Sequence, residues 1–191
     1  DFSEEFLTQK INECNKITSY MSNTISDFQN FFKPSKDKEI FEINDACKRA
    51  SAILHASLKY HLITFHFEES SESKVLGYPN EFAQALLNIL SNAKDVLIDR
   101  QIQDPFIRMS VRHGEKYSLI NIEDNGGGIA PEYLERIFEP YFTTKHAKQG
   151  TGIGLYMTKM IIENNMNGII VVKNTEAGVL FTIKLKLYHE I

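Results

Sequence analysis

A two-layer α/β sandwich, a mixed and largely antiparallel sheet with helices on one face, is the fold class this sequence predicts, preceded by a long projecting helix. Three observations carry it. Short β-patterned runs alternate with helical segments along the chain. Two of the connections, 113–116 and 174–178, are short turn-like links that join antiparallel neighbours. The segment 79–99 carries an apolar stripe on one helical face, which has to pack against another layer.

The chain has 191 residues, 42% hydrophobic and 24% charged, an ordinary composition for one globular domain plus an appendage. Its net charge is -4 and its basic residues are dispersed, which argues against a nucleic-acid partner. Cys14 and Cys47 lack metal-site or disulfide-framework spacing, as expected in a reducing cytoplasm. No apolar run is long enough to span a bilayer and no signal peptide is evident, so no membrane contact is expected of this chain. The first residue is Asp1, not Met, and the expectation is a piece of a longer protein.

From Phe2 to Lys33 there is no Gly or Pro, and Leu7, Ile11, Cys14, Thr18, Met21, Ile25, Phe28 and Phe32 recur at four-three spacing. About 30 helical residues extend roughly 45 Å, against a radius of gyration of roughly 15 Å for a domain of the remaining size. This helix, 1–33, projects and needs a partner helix. Pro34 and the polar run to Lys38 form a linker, 34–38, and the globular part is 39–191. There the pattern predicts a strand Glu39 to Ile43, a helix capped by Asn44 and reaching Leu58, and strands at Leu62 to Phe67 and Lys74 to Tyr78. A helix Pro79 to Asp99 follows, then strands Phe106 to Arg112 and Tyr117 to Ile122. A helix Ile153 to Asn165 and strands Ile169 to Lys173 and Val179 to Leu187 complete the chain.

Candidate chemistry gathers on two segments. On the helix 79–99, Asn88, Asn92, Asp95 and Asp99 line up beside the apolar stripe Phe82, Leu86, Ile89, Ala93 and Leu97. Oxygen donors on one face suit Mg²⁺, although a solvated polar edge has the same pattern. The stretch from Ile120 to Leu155 holds six of the ten glycines. Glycine backbone lets N–H groups approach an anion, so a nucleotide phosphate is the leading ligand. Asp124, ahead of Gly126, Gly127 and Gly128, is placed to accept a hydrogen bond from an exocyclic amine such as that of adenine; the alternative is a hairpin turn. Phe138 and Phe142 either anchor the start of a loop or serve as core aromatics. That loop, with Lys145, His146 and Lys148, reads as a cationic lid or a solvated loop. Gly150, Thr151, Gly152, Ile153, Gly154 and Leu155 match neither the Walker phosphate loop nor a good dinucleotide fingerprint.

In order and spacing, the segments 88–93, 124–129, 137–142 and 150–155 resemble the N, G1, F and G2 boxes of bacterial sensor histidine kinases. Residues 21–34 resemble the end of the second helix of that family's dimerisation and phosphotransfer hairpin. The resemblance implies the histidine-kinase-type (Bergerat) ATP-binding fold, with ATP and Mg²⁺ as cofactors. It implies that Asn92 ligates Mg²⁺, that Asn88 assists near the phosphates and that Asp124 reads adenine. Gly126, Gly128, Ile129, Phe138, Phe142 and Lys145, with 150–155, would hold nucleotide and lid. Asp95 stands where some members have a basic residue. Homodimerisation through the N-terminal helix and transfer to a response-regulator receiver domain are further implications.

The family's nucleophile is a histidine followed by an acidic residue on the first hairpin helix, and no histidine here precedes His55. The chain is thus expected to supply the nucleotide half of a phosphoryl transfer. Two other readings compete. A hydrolytic ATPase of the gyrase, heat-shock or mismatch-repair type has a glutamate base where this chain has Asn88, and an amide cannot take a proton from water. A non-catalytic adenine-nucleotide-binding or dimerisation module is the other.

Overall fold

The computed structural model describes residues 10, 11, 18, 37–70, 73–144 and 151–189. The chain divides into two compact units, Asp1–Pro34 and Ser35–Ile191. In the first, Lys10, Ile11 and Thr18 are helical; the other seam positions, and residues 34–36 of the linker, lie outside the described residues.

The second unit runs β1 (Glu39–Glu42), α1 (Ile43–Tyr60), β2 (Thr64–Glu68), β3 (Lys74–Gly77), α2 (Pro79–Asp99), β4 (Phe106–His113) and β5 (Tyr117–Asp124). It continues with α3 (Pro131–Leu134), α4 (Gly154–Lys159), a π-helix (Met160–Asn165) that prolongs α4, β6 (Ile169–Asn174) and β7 (Val179–Lys186). Five strands form one sheet in the order β2-β4-β5-β7-β6. Only β2 and β4 run parallel; the other three pairings are antiparallel. This is the mixed, largely antiparallel sheet that the short links predict. β1 and β3 pair separately as a two-stranded ribbon, a feature the sequence pattern does not distinguish from a sixth and seventh strand.

Two-residue alternation decides which side of the sheet is covered. Val111, Ile120, Ile183 and Ile170 form one buried cross-strand row, and Met109, Ile122 and Phe181 a second. The third row, Ile107, Asp124 and Val179, continues the same parity to the sheet's end. A carboxylate therefore lies on the covered face, in phase with Ile120 and Ile122. The opposite face keeps Tyr117, Leu119, Ile169 and Val171 exposed. Helix α2 supplies the covering layer: Phe82, Leu86, Ile89, Ala93 and Leu97 are all buried, and the helix contacts α1, α4, β4 and β5. Cys47, buried in α1, has its thiol pushed up to about 12 by burial and by Glu69, so it is a packing residue.

Several sequence expectations are corrected. Asn44 does not cap α1. The chain passes from β1 straight into the helix at Ile43 because Glu42 accepts a hydrogen bond from the Ser73 amide (2.9 Å) and the Ile43 amide reaches the Ser73 carbonyl (3.1 Å). Asn44 thus falls in the first turn, where its side chain donates to the Ser70 carbonyl at 3.0 Å. Helix α1 runs on to Tyr60, which turns Leu62 into an exposed positive-φ residue and delays β2 to Thr64. The helix expected over 153–165 changes to π geometry at Met160, with the Met166 amide bonded to the Ile161 carbonyl at 3.1 Å. The wider turn accompanies burial of Ile161, Ile162 and Met166 together. The single turn α3 was not anticipated.

The parity of β5 has a stability consequence. Ile122→Ala, at a position 2% exposed, should cost about 2 to 5 kcal/mol. Leu119→Ala, at 38% exposure on the open face, should cost about 1 kcal/mol or less. Urea denaturation compares the two; equal losses would contradict the assignment of faces.

Candidate functional site

A cleft of about 480 Å³ opens between α2, the end of β5 and the segment that leads into α4, within the range of small-molecule sites. One wall is the polar stripe of α2, where Asn88, Ser91, Asn92 and Asp95 line the cleft. Asp99, the last member of the stripe expected from spacing, is exposed and does not line it. The apolar lining comes from Val96, Ile129, Ile137, Phe142, Val179 and Phe181.

Asp124 is 5% exposed and lines the cleft from the end of β5. The Gly126 amide donates to its Oδ1 at 2.8 Å. Burial lifts its carboxyl above the usual carboxylate range; hydrogen bonds from the Gly126 and Val179 amides and the charge of Arg100 oppose that rise, and Glu123 adds to it. A buried acceptor in an otherwise apolar row is suited to one directed hydrogen bond from a ligand donor.

The glycine loop after β5 works differently from the anion cradle its composition suggests. The amide of Gly126 is engaged by Asp124 and that of Gly127 by the Ala177 carbonyl at 2.9 Å. Arg100 donates to the carbonyls of Gly126 and Gly128, and Asn174 grips Ile129 through both its amide (2.8 Å) and its carbonyl (2.7 Å). Asn125 binds the Phe106 amide (2.8 Å) and the Asp104 carbonyl (3.1 Å). Gly178 closes the back: an added Cβ there would run into the Asp124 carbonyl. The loop is a rigid wall of the cleft, with Gly126, Gly128 and Ile129 in its lining.

The remaining sequence-marked residues separate into two groups. Thr151, Gly152, Gly154 and Leu155 line the cleft, whereas Ile153 does not. Phe142 lines it, its ring tilted against Tyr133 (centroids 5.5 Å apart) with Arg136 over it (4.6 Å). Phe138 instead meets Phe181 edge-on at 6.4 Å beneath Lys159 and is a packing aromatic. Lys145, His146, Lys148 and Gly150 lie outside the described residues. The ends of that loop are fastened together: the Tyr141 amide donates to the Gly152 carbonyl (3.0 Å), and both residues have positive φ. A side chain at Gly152 would meet the Tyr141 Cα at 2.7 Å, so only glycine fits.

Asn88 joins the two sides of the cleft. Its amide nitrogen donates to the Gly154 carbonyl (3.1 Å) and to the Thr158 hydroxyl (3.4 Å), so both N–H groups are engaged and any part Asn88 plays toward a ligand falls to its oxygen. Among the described residues no group of three or more His, Cys, Asp or Glu is placed to hold a metal ion. The oxygen donors on α2 instead fit Mg²⁺, which accepts few protein ligands and fills its shell with water and phosphate. No helix of the described residues is long and apolar enough to cross a membrane.

Sequence reasoning missed Arg100, Asn125, Asn174 and Gly178. The last two sit in a segment that reads as a turn, and their partners lie far away in the chain.

Comparison with known proteins agrees with this architecture. A family described as histidine kinase-, DNA gyrase B-, and HSP90-like ATPase matches residues 77–189. The two-component sensor PprA of Pseudomonas aeruginosa is 32% identical over 151 residues, covering 77% of this chain and 16% of that protein. The sensor histidine kinase ZraS of Salmonella typhi is 32% identical over 173 residues, covering 89% of this chain and 36% of that protein. The chain thus spans about a third or less of the length of these relatives. Among solved structures, the nucleotide-free catalytic domain of histidine kinase ThkA superposes with a TM-score of 0.70 at 27% identity, covering 79% of this chain and 96% of that one. ThkA in complex with the response regulator protein TrrA shares the fold, with a TM-score of 0.65 at 22% identity over 97% of this chain and 53% of that one. With the matched residues spanning α2, the glycine loop and the cleft, the chain belongs to the histidine kinase-, DNA gyrase B- and HSP90-like ATPase family, as a catalytic domain of the histidine-kinase type.

Proposed function

We propose that this chain is the nucleotide-binding part of a two-component sensor histidine kinase, which binds ATP with Mg²⁺ and presents the γ-phosphoryl group to a histidine outside the chain. The observation that carries the reading is the joint presence, in one cleft, of a buried strand-end carboxylate and an oxygen-donor helix face. Asp124 accepts the adenine amine, while Ile129, Val179, Phe181 and Phe142 supply apolar surface for the base. Guanine would present a carbonyl to the same carboxylate and be repelled. Asn92, with Asn88 and Asp95 beside it, would hold Mg²⁺ toward the phosphates. The metal, when bound, neutralises phosphate charge. The segment from Thr151 to Leu155 holds the phosphate side.

In the transfer itself a histidine ring nitrogen attacks the γ-phosphorus, the bond to the β-phosphate oxygen breaks, and ADP leaves with phosphohistidine formed. Catalysis of this kind is chiefly positioning and charge stabilisation. The phosphoryl group then passes to an aspartate on a response-regulator receiver domain, a partner class that the ThkA complex illustrates for ThkA. Homodimerisation through 1–33 and a linker at 34–38 complete the proposal. Asn88 favours this over the hydrolytic branch, because its amide cannot deprotonate water.

Two measurements test it. With a polypeptide that bears a family histidine helix, γ-labelled ATP should leave acid-labile, base-stable label on that polypeptide. Nucleotide binding without label would favour a binding module, and rapid hydrolysis by the chain alone would favour the ATPase branch. Separately, Asn92→Ala should abolish the Mg²⁺ dependence of ADP affinity in calorimetry; an undiminished response to Mg²⁺ would remove Asn92 from the metal site.

A further inference from the structure

Three side chains fasten the glycine loop, Arg100 and Asn174 from outside and Asn125 from within it, and one of them is charged. Arg100 ends α2 and uses one guanidinium nitrogen for two carbonyls, Gly126 and Gly128, the latter at 3.1 Å. The same nitrogen lies 3.1 Å from where a Cβ on Gly127 would sit, so the guanidinium covers the middle of the loop as well. Arg100 lines the cleft together with Asp124. The amide at the loop's start, that of Gly126, is the one that donates to Asp124 Oδ1. The carbonyl that Arg100 holds and the amide that orients the carboxylate therefore belong to one residue, Gly126, on either side of its Cα.

We propose that Arg100 is a positioning residue for the nucleotide base, acting through the glycine loop and by its charge to hold the Asp124 carboxylate in place for the adenine amine. The proposal rests on the adenine reading above. Asn125 and Asn174 brace the loop as neutral groups at its two ends; Arg100 adds charge. The surroundings make that charge count. On β4 and β7 the residues paired with Asp124 are Ile107 and Val179, both apolar. Helix α2 contributes Asp95 to the cleft wall, where its carboxylate pairs with Lys94 at 3.2 Å. Glu123, next along β5, is paired with Arg108 at 3.2 Å. Among the described residues, Arg100 is the cation whose charge favours the ionised form of Asp124, against burial and Glu123. Loss of Arg100 should therefore raise the pH at which Asp124 takes up a proton, and a protonated Asp124 is a weaker partner for an amine donor.

The test is calorimetric titration of the whole chain with ADP as a function of pH, for wild type, Arg100→Gln and Arg100→Lys. Arg100→Gln should weaken binding roughly tenfold near neutral pH, and its further loss of affinity on acidification should begin at a higher pH than in wild type. Arg100→Lys keeps the charge on a compact head group without the planar guanidinium that lies over Gly127, so it should restore the wild-type acid limb while affinity stays reduced. Unchanged affinity and an unmoved acid limb in Arg100→Gln, with wild-type thermal melting, would overturn the proposal. Weakened binding with an unmoved acid limb would overturn it too, by reducing Arg100 to a simple brace. If wild type itself fails to bind ADP, the adenine reading fails and this inference falls with it; wild-type binding with an indifferent Arg100→Gln sinks this inference alone.

Discussion

The structure turns on one carboxylate kept out of water at the end of a strand. Strand parity puts Asp124 on the covered face of the sheet, where Ile107, Ile120, Ile122 and Val179 would otherwise form uninterrupted apolar packing. Such a group costs free energy unless hydrogen bonds and charge compensate it. The compensation shapes the neighbouring chain: the Gly126 amide turns back onto the carboxylate, Gly178 admits the Asp124 backbone without a side chain, and Arg100 comes in from α2. An apolar residue at the same position would pack at lower cost.

Helix α2 is the other fixed point, because it belongs to the core and the site at once. Its buried stripe from Phe82 to Leu97 fixes its height over the sheet, and that in turn fixes where Asn88, Asn92 and Asp95 stand in the cleft. Asn88 extends the coupling to α4, whose first carbonyl it binds. The contact between Tyr141 and Gly152 ties the two ends of the intervening loop. Core packing, cleft wall and loop attachment thus share one rigid element, which is the kind of support a site needs to hold its groups in register.

Most of the fold was legible because alternation and helical spacing are local signals. The bounds of α2 could be read directly, from Pro79 at its start to the end of the apolar stripe. The start of α1 was misplaced because the Glu42 to Ser73 contact, not a capping side chain, sets it, and a contact between distant residues leaves no periodic trace. The same reason hid Arg100, Asn125 and Asn174, whose backbone partners lie on other elements. Phe138 and Phe142, four apart, suggested a common role, but the positive φ of Tyr141 breaks the helical relation and sends only Phe142 into the cleft. Asp124 stands out in the sequence by its place before the glycines, and its phase with Ile120 and Ile122 is an equally good signal of its burial.

The proposed role of this buried carboxylate is recognition of the amine of a purine base. Its most direct test is the ratio of dissociation constants for ADP and inosine diphosphate, which differ at the group Asp124 would contact. A charged hydrogen bond of roughly 1.5 to 3 kcal/mol predicts ADP tighter by about one to two decades. Equal affinities would contradict the claim and place base recognition elsewhere in the cleft.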